Sequence, residues 1–482
     1  MGETVDLMQM LEARERRVFR QEELLERYRL PLVSFTMNIA GPMKNSPLIR
    51  RGFQAGERLL LGQFQRAGIR CVHAERIDEA TGCEGLYAVD CGARQLKTLT
   101  EELEEGTDLG RLFDMDVLSP GGEKLDRAVP RRCLICGGDG KACASRRVHT
   151  VAELQEKTRE ILQTALDRLD AEIVGTLACR ALLYEVCVTP KPGLVDRANS
   201  GSHRDMNFYT FLRSAAALVP YFTRCASIGR ESAAGPPRET FALLRFPGKL
   251  AEAAMLDATG GVNTHKGAIF SMGLVCAALG RLDRAAWASP SRVLSEAAAM
   301  AEGLTEQDFA DLTAETARTT GQKLWLEYGI SGVRGQAEAG FPAVLDYGLP
   351  VLERGLEAGK SQDEAGAAAM LALLCHTADT NLIARGNVSV QRETASQIAE
   401  LLENQPYPDR ETLEQLDRAF IEKNLSPGGS ADLLALCWLL HFVREETDGE
   451  PARAEAAADR AVECRVDATK NAQERAAGRS GM

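Results

Sequence analysis

Two aspartates alternate with large apolar residues in GRLFDMDVL, the segment 110–118. If this segment is a strand, Asp114 and Asp116 lie on one face, because successive side chains of a strand point to opposite faces. Two carboxylates held this close repel each other unless a cation lies between them. The pair is therefore a candidate metal site. The plainer alternative is a solvated strand face with an ion pair to Arg111.

Polar residues crowd the segment TPKPGLVDRANSGSHRDMNFYTF, residues 189–211, more densely than a connection between helices requires. Basic side chains suit a polyphosphate, and carboxylates suit Mg²⁺ or a hydroxyl group. The alternative is a set of helix caps and surface ion pairs. The candidate residues are Lys191, Asp196, His203, Arg204 and Asp205.

The segment ATGGVNTHKGAIF, residues 258–270, places two glycines before a predicted helix. A helix N-terminus presents free N–H groups and a partial positive charge, so a phosphate group fits there. The segment is not a Walker A loop, because its lysine is not followed by Ser or Thr. The candidates in its first turn are Asn263, Thr264, His265 and Lys266.

A third polar segment, CHTADTNLIARGN, gathers His376, Asp379, Asn381 and Arg385 at a helix end. Caps and surface ion pairs could explain any one of the three segments. Their occurrence together favours a shared pocket for a polyphosphate, with Mg²⁺ bound by Asp or Asn oxygens.

Two kinds of predicted structure must position these residues. About the first 150 residues mix helix and strand patterns, which indicates an α+β domain with a small sheet. From about 151 to 445 the patterns are helical and separated by Gly, Pro or Asn, which indicates an all-α domain. Residues 446–482 read as a polar tail. The individual elements are predicted as helices over 5–28, 53–68, 93–106 and 151–186 and as strands within 29–42, 69–77, 85–92 and 110–118.

Composition narrows the class of protein. The 482 residues carry a net charge of −12, which disfavours general nucleic-acid binding but leaves room for a local basic pocket. The longest apolar run, 433–440, is too short to span a membrane. The N-terminal residues lack the apolar stretch of a secretory signal, and 13 cysteines then suggest a reducing compartment. We therefore expect a cytoplasmic protein without a membrane partner.

The three polar segments carry a family resemblance. YEVCVTPKPGLVDRANSGSHRDM, GGVNTHKGAIF and DTNLIARGN resemble triphosphoribosyl-dephospho-CoA synthase, and the similarity spans about 170 to 445. The resemblance implies that the 2'-hydroxyl of 3'-dephospho-CoA displaces adenine from ATP. The product would be 2'-(5''-triphosphoribosyl)-3'-dephospho-CoA.

The first domain carries a second resemblance. PLVSFTMNIAGPMKNS, LGRLFDMDVLSPGGEKLDR and PRRCLICGGDGKACASRRVH resemble apo-citrate lyase phosphoribosyl-dephospho-CoA transferase, over roughly 1 to 167. It implies a nucleotidyltransferase-like domain that transfers phosphoribosyl-dephospho-CoA to a serine of the citrate lyase acyl-carrier (gamma) subunit and releases pyrophosphate. The chain then looks like a bifunctional fusion.

The resemblances suggest roles for the candidates in each domain. Asp114 and Asp116 would hold Mg²⁺ at the α-phosphate, and Arg111 would contact phosphate. Weaker candidates are Asp90 and Asp126 for a third carboxylate and Lys44 for another phosphate contact. In the helical domain, His265, Asp196, Asp205 and Asp257 are the candidates for acid–base work, and which acts as base stays open. Binding of ATP and Mg²⁺ would fall to Lys191, His203, Arg204, Asn263, Thr264, Lys266, Asp379, Asn381 and Arg385.

A cysteine cluster follows the aspartate pair. Cys133, Cys136, Cys143 and His149 have the spacing C-x₂-C-x₆-C-x₅-H, which meets the ligand count of a Cys₃His zinc site but not a familiar finger spacing. The alternative is a set of reduced structural thiols in a glycine-rich loop. The basic residues beside them would contact phosphate or the carrier protein. Those residues are Arg131, Arg132, Arg146 and Arg147.

Two other classes of function remain as alternatives. A non-catalytic assembly factor for citrate lyase would bind its subunits through the helical half and would release no adenine from ATP. A metal-dependent nucleotide hydrolase would use the aspartate pair to release phosphate or pyrophosphate without an acceptor serine.

Overall fold

The computed structural model describes residues 3–447. The described chain divides into two compact units, one ending at Leu166 and one beginning at Asp167. All but the first two residues of the predicted polar tail, 446–482, lie outside the described residues.

The first unit contains a four-stranded antiparallel sheet with the strand order β2-β3-β1-β4. Strand β4 is therefore at an edge, and Ser34 of β1 lies opposite Asp116. The elements of this unit are α1 (Leu7–Tyr28), β1 (Leu32–Met37), α2 (Pro47–Arg66), β2 (Arg70–Glu79), β3 (Gly82–Asp90), α3 (Ala93–Glu105), β4 (Phe113–Leu118), α4 (Gly140–Ser145) and the start of α5 (Val151–Cys187).

Strand β4 has the predicted alternation. Phe113, Met115 and Val117 are fully buried, whereas the two aspartates between them are partly exposed. The predicted strand is confirmed, although it is preceded by a 3-10 turn over Gly110–Leu112. The buried face anchors the strand, so the position of both carboxylates depends on apolar packing.

Helix α2 covers the buried face of the sheet. It begins six residues before the predicted helix, because Ser46 caps its N-terminus and Pro47 occupies the first helical position. Gly56 lets the helix approach closely, since a Cβ there would lie 2.7 Å from Phe35 and 2.8 Å from Phe113. The ring of Phe113 packs edge-on against Phe35 at 5.4 Å.

Helix α1 covers the opposite face, which is the face that carries the aspartates. Its N-terminus has a capping box between Asp6 and Gln9. Near its C-terminus Leu24 and Leu25 pack against Leu86 of β3. This face is thus apolar beneath the helix and polar toward the β4 edge.

The second unit contains only helices and turns among its described residues. Helices α8 and α14 and the helix 428–447 are apolar on almost every side, which is typical of helices buried in a core. None of the described helices has the length and hydropathy needed to cross a membrane. The helices after α5 are α6 (Phe208–Glu231), α7 (Pro237–Thr259), α8 (Lys266–Arg281), α9 (Pro290–Ala301), α10 (Leu304–Phe309), α11 (Thr320–Tyr328), α12 (Gly332–Glu338), α13 (Leu349–Glu357), α14 (Gln362–Cys375), α15 (Thr380–Arg385), α16 (Val388–Asn404), α17 (Arg410–Glu422) and α18 (428–447).

We expect Phe113→Ala to destabilise the first unit by about 3–5 kcal/mol, because it removes a buried ring and leaves a cavity beneath β4. Hydrogen exchange of peptides from β1, measured by mass spectrometry, reports this unit directly. Phe19→Ala is the control, since Phe19 is 71% exposed on α1. Equal exchange in the two variants would contradict the packing described above.

Candidate active sites

A cleft of about 1380 Å³ lies beside the edge strand β4 in the first unit. Among the residues predicted from sequence, Arg111, Asp114, Asp116 and Asp126 line it, together with most of the cysteine cluster and its neighbouring arginines. Eight Lys or Arg residues and five Asp or Glu residues contribute to its walls, so the cleft is basic in a chain of net charge −12. Such a cleft attracts a polyphosphate.

The two aspartates are each paired with a basic side chain. Asp116 accepts a hydrogen bond of 2.6 Å from Lys124, and Asp114 accepts one of 3.1 Å from Arg131. The alternative prediction, an ion pair between the aspartates and Arg111, is wrong. The Arg111 guanidinium donates instead to the Cys133 carbonyl at 2.8 Å. The aspartate side chains are 44% and 30% exposed and open to the cleft, so an incoming cation could replace these partners.

Glu104, at the end of α3, is a third carboxylate of the cleft that the sequence did not single out. It is buried and accepts from the free N–H of Met115 on the edge strand at 2.7 Å. It also accepts from Arg131 at 2.6 Å and pairs with Arg127. Burial raises the pKa of Glu104, and the two arginines oppose this shift. In sequence it is one of four glutamates in EELEE, and only packing distinguishes it.

Of the weaker candidates in the first unit, one lines the cleft and two do not. Asp126 lines the cleft, whereas Asp90 ends β3 and pairs with Arg70 at 2.7 Å, away from the cleft lining. The Lys44 ammonium donates to the Ile39 carbonyl at 2.5 Å, and burial lowers its pKa. Neither Asp90 nor Lys44 reaches the aspartate pair, which corrects both expectations.

The cysteine cluster forms part of the cleft wall. Cys133, Cys143 and His149 line the cleft. The ligand atoms of these three residues and of Cys136 all lie within 4.8 Å of one another. The twelve cysteines of the described chain are free thiols. The spacing seen in sequence therefore does bring four ligand groups to one place.

Lys191 and Asp196, in the second unit, organise the loop after α5. The Lys191 ammonium forms a buried ion pair with Glu185 and donates to its carbonyl oxygen at 2.9 Å. Asp196 accepts from the backbone N–H groups of Lys191, Ala198 and Asn199, at 3.0, 2.7 and 2.9 Å. Their predicted roles in phosphate binding and acid–base chemistry gain no support from these surroundings.

His203 and Arg385 join the first polar loop to the third. Arg385 donates to Nδ1 of His203 at 3.2 Å and to the Ser202 carbonyl at 2.8 Å. Nε2 of His203 lies 2.8 Å from the Ser426 hydroxyl. Burial and the Arg385 charge lower the pKa of His203. The structure thus brings these two predicted residues together, and it adds a segment around Ser426 that sequence reasoning missed.

His265 lies at the N-terminus of α8 and is 3% exposed. Its Nδ1 is 2.6 Å from the Ser214 hydroxyl, which also accepts from Thr264 at 2.7 Å. Its Nε2 is buried without a hydrogen-bond partner among the residues that the structure describes. Burial, assisted by the charge of Lys191, lowers the pKa of His265 to about 3. The ring is therefore neutral near pH 7.

The remaining phosphate candidates are more accessible. Lys266 pairs with Glu252 at 2.8 Å, and its side chain is 52% exposed. Asn263 accepts from the Lys266 N–H at 3.3 Å and so caps the helix start. Their exposure leaves them free to meet a ligand. The other exposed candidates are Arg204, Asp205, Asp257 and Asn381.

Asp379, predicted as a magnesium ligand, is fully buried at the N-terminus of α15. One carboxylate oxygen accepts from the N–H groups of Asn381 and Leu382, each at 3.0 Å. The other accepts from the N–H and hydroxyl of Ser430, at 2.7 and 2.9 Å. Both oxygens are thus occupied by protein donors, and the carboxylate fastens α15 to the start of α18.

Asp432 is a carboxyl group that sequence reasoning missed. It lies so close to α8 that a Cβ on Gly267 would be 2.0 Å from its Oδ2. Burial, together with the charges of Glu185 and Asp379, raises its pKa well above the usual range, and the Ala268 N–H partly offsets this. The signal available in sequence was the PGGS segment before α18, which resembles the two glycines before α8.

We expect His265 to make the second unit less stable in acid. The unfolded chain binds a proton at this ring below pH 6.5, whereas the folded chain does not until about pH 3. The neutral ring's contribution to the free energy of unfolding is therefore fully present above pH 6.5. It decreases as the pH falls, by about 2 kcal/mol between pH 6.5 and 5. Urea unfolding followed by tryptophan fluorescence measures this, since all three tryptophans lie after residue 166.

In His265→Asn this contribution should disappear. On acidification from pH 6.5 to 5, the free energy of unfolding of the variant should therefore fall by about 2 kcal/mol less than that of the wild type. His376→Asn is the comparison: partial burial also lowers the pKa of this exposed histidine, so its removal should change the pH dependence less than His265→Asn does. An unchanged pH dependence in His265→Asn would contradict a neutral buried ring.

Comparison with known proteins gives two family matches along the chain. Residues 5–165 match the family described as apo-citrate lyase phosphoribosyl-dephospho-CoA transferase, CitX. Residues 171–450 match the family described as ATP:dephospho-CoA triphosphoribosyl transferase, CitG. Both resemblances inferred from the sequence motifs are confirmed.

Relatives of full length show the same arrangement. Protein CitXG of Haemophilus influenzae is 36% identical over 90% of this chain and 96% of its own. Protein CitXG of Leuconostoc mesenteroides is 32% identical over the same shares. The 2-(5''-triphosphoribosyl)-3'-dephosphocoenzyme-A synthase of Pectobacterium atrosepticum is 39% identical over 60% of this chain and 95% of its own. The chain therefore belongs to the CitXG family of transferases, in which a CitX domain precedes a CitG domain.

Proposed function

We propose that the chain makes the prosthetic group of citrate lyase and attaches it to the acyl-carrier subunit. The helical domain, residues 168–445, performs the synthesis, and the α+β domain, residues 1–167, performs the attachment. The observation that carries this assignment is a basic cleft around two paired aspartates within the part of the chain that matches the CitX family. The three polar loops lie in the CitG match.

The first reaction is a glycosyl transfer. The 2'-hydroxyl oxygen of 3'-dephospho-CoA attacks C1' of the ATP ribose, the bond from C1' to adenine breaks, and the hydroxyl proton is released. A transition state with oxocarbenium character needs a carboxylate near C1' and a base for the hydroxyl. We assign the triphosphate to the groups at the α8 N-terminus, Asn263, Thr264 and Lys266, and keep the exposed Arg204 of the first loop as a further candidate.

Asp432 is our candidate for the base. A carboxyl with a raised pKa accepts a proton more readily than an ordinary aspartate. Burial raises the pKa of Asp432, and this residue lies beside the N-terminus of α8. His265 is less suitable, because a ring with a pKa of about 3 is a weak base and is not protonated to the acidic imidazolium near pH 7. Asp205 and Asp257 are exposed and remain candidates for the protonation of adenine.

The second reaction is a nucleotidyl-type transfer, and it is the basis on which we describe the first domain as nucleotidyltransferase-like. A serine oxygen of the carrier subunit attacks the phosphorus nearest the ribose, a phosphodiester forms, and pyrophosphate leaves. Basic side chains in the cleft hold the phosphates and offset the charge of the leaving group. Arg111 and Arg131 are placed for this beside the aspartates.

The donor set of this cleft fits Mg²⁺. Asp114 and Asp116 present adjacent carboxylates on one strand face, and each is neutralised by a cation that an arriving metal could displace. Asp126 and Glu104 are the nearby third carboxylates. Bound there, Mg²⁺ would polarise the phosphate and stabilise charge on the pyrophosphate. Lys124 and Arg131, released from the aspartates, would then contact the substrate phosphates.

Asp114→Asn should lower carrier modification by roughly a hundredfold while adenine release from ATP continues, because the two reactions use different units. The assay contains the protein, ATP, 3'-dephospho-CoA, Mg²⁺ and apo carrier subunit, with mass spectrometry of the carrier and chromatography of adenine. Asp108→Asn, an exposed aspartate before β4, is the matched control. Loss of both reactions in Asp114→Asn would contradict separate sites.

Lys266→Ala should impair the first reaction, the release of adenine, and leave the attachment reaction intact. We expect adenine release to fall roughly tenfold or more, since a hydrogen bond to a charged group contributes about 1.5–3 kcal/mol. Supplied triphosphoribosyl-dephospho-CoA should restore carrier modification. Lys249→Ala removes an exposed lysine of the same unit and should leave both reactions unchanged.

The same assay distinguishes the other two functions considered. A nucleotide hydrolase would release phosphate or pyrophosphate from ATP without dephospho-CoA and without a carrier. An assembly factor would release no adenine. It would also function equally well when both aspartates are replaced, as in the Asp114→Ala/Asp116→Ala double variant. Either result would overturn the proposed pair of reactions.

A further inference from the structure

We propose that Cys133, Cys136, Cys143 and His149 bind a zinc ion, which holds the segment 131–149 against the wall of the basic cleft. This zinc site is structural, and neither reaction proposed above includes it. Its evidence is independent of the aspartate pair, so the site can be present even if the assignment of the two reactions fails.

The geometry of the four groups matches a tetrahedral zinc site. Their ligand atoms lie within 4.8 Å of one another, and the sulfur atoms of Cys136 and Cys143 are 3.5 Å apart. Zinc–sulfur bonds of about 2.3 Å in a tetrahedron place sulfur atoms about 3.8 Å apart. The Cys136–Cys143 pair is already close to this spacing, and the widest pair must approach by up to about 1 Å for zinc to enter.

The backbone around the first two cysteines has a compact turn. The Cys133 N–H donates to the Gly138 carbonyl at 2.7 Å, and Gly137 adopts a φ of +70° that favours glycine. A Cβ on Gly138 would lie 3.4 Å from the Cys136 sulfur, so a glycine there lets the turn close around this ligand. The turn thus directs both sulfurs to the same side.

His149 supplies a second, separate indication. Its Nε2 is buried and has no hydrogen-bond partner in the described chain. A buried polar atom without a partner normally costs free energy, so such atoms often bind a water or an ion. Binding to zinc would satisfy it.

The segment also lacks the apolar contacts that would hold it in place. Helix α4 has six residues and buries none of them. Val129, Ile135 and Val148 are 64%, 36% and 56% exposed. A segment with so little core needs another source of stability, and small domains of this kind commonly use metal ligation.

Zinc explains the cluster better than a disulfide or an iron–sulfur centre. A disulfide between Cys136 and Cys143 would leave Cys133 and His149 gathered beside it without a role. Iron–sulfur clusters usually require four cysteines. Three thiolates and one imidazole are a common structural zinc set.

The zinc site would position two arginines of the cleft. Arg111 donates to the carbonyl of Cys133, a proposed ligand, at 2.8 Å. The carbonyl of Arg131 accepts from the Gly140 N–H at 3.0 Å, within the loop between the second and third cysteines. Arg131 in turn contacts Asp114. Loss of zinc should therefore loosen this wall of the cleft while leaving the sheet intact.

The test is metal analysis of the full-length protein by plasma mass spectrometry after dialysis. We expect about one zinc per chain in the wild type and in Cys91→Ser, a control thiol of the same unit outside the cluster. Cys136→Ser and His149→Ala should hold less than about a tenth as much. His149→Cys should retain zinc, since four thiolates also form a zinc site.

Cobalt exchange and limited trypsin digestion provide readouts beyond metal content. Co²⁺ in the wild type should give the visible bands of a tetrahedral thiolate site, and these should be absent in Cys136→Ser. Removal of zinc should increase cleavage at the arginines of the segment by roughly tenfold, because an unligated loop opens more often. Unchanged hydrogen exchange of the β1 peptides shows that the first unit of a variant has folded.

Three results would overturn the proposal. One is a reduced wild type that neither contains zinc nor takes up micromolar Zn²⁺. Another is a Cys136–Cys143 disulfide found by peptide mass spectrometry in protein purified with blocked thiols. The third is equal zinc in Cys136→Ser and the wild type, which would place the metal elsewhere.

Discussion

A carboxylate withdrawn from water must be met by N–H groups or cations, and this requirement shapes both units of the chain. In the first unit, buried Glu104 accepts from the free N–H of edge strand β4 and from Arg131, so it joins α3, β4 and the loop that carries the cysteines. In the second unit, buried Asp379 accepts four hydrogen bonds and joins α15 to α18. Each candidate site lies beside such a carboxylate.

The two units use charge differently. The cleft of the first unit keeps Asp114 and Asp116 partly exposed and paired with side chains that can move, which suits a site that must admit a metal and a polyphosphate. The second unit buries its charges more deeply. There Glu185 neutralises Lys191, and His265 stays uncharged because burial lowers its pKa to about 3. Deep burial suits a glycosyl transfer, since excluding water protects a reactive C1' from hydrolysis.

Sequence patterns predicted the arrangement of some candidate residues and not of others, and the difference has a physical reason. Asp114 and Asp116 lie in a strand whose period of two follows directly from its apolar residues, so their common face could be predicted. Lys191 and Asp379 were predicted to bind substrate or metal from residue type alone. The structure shows their polar atoms already bonded to Glu185 and Ser430. Asp432 was missed because the only local signal, the PGGS segment at the start of its helix, does not show which partners surround the carboxyl.

The sequence by itself determined the order of elements, the α+β and helical halves, the paired aspartates on one strand face and the membership of the chain in its family. These depend on periodicity, caps and motifs, which are local in the chain. Only the tertiary structure decided which polar groups remain open to a ligand. Their partners lie far away in sequence, as Asn199 and Asp417 do across 218 residues. A hydrogen bond is short and directional, so it forms only after packing has brought both atoms together.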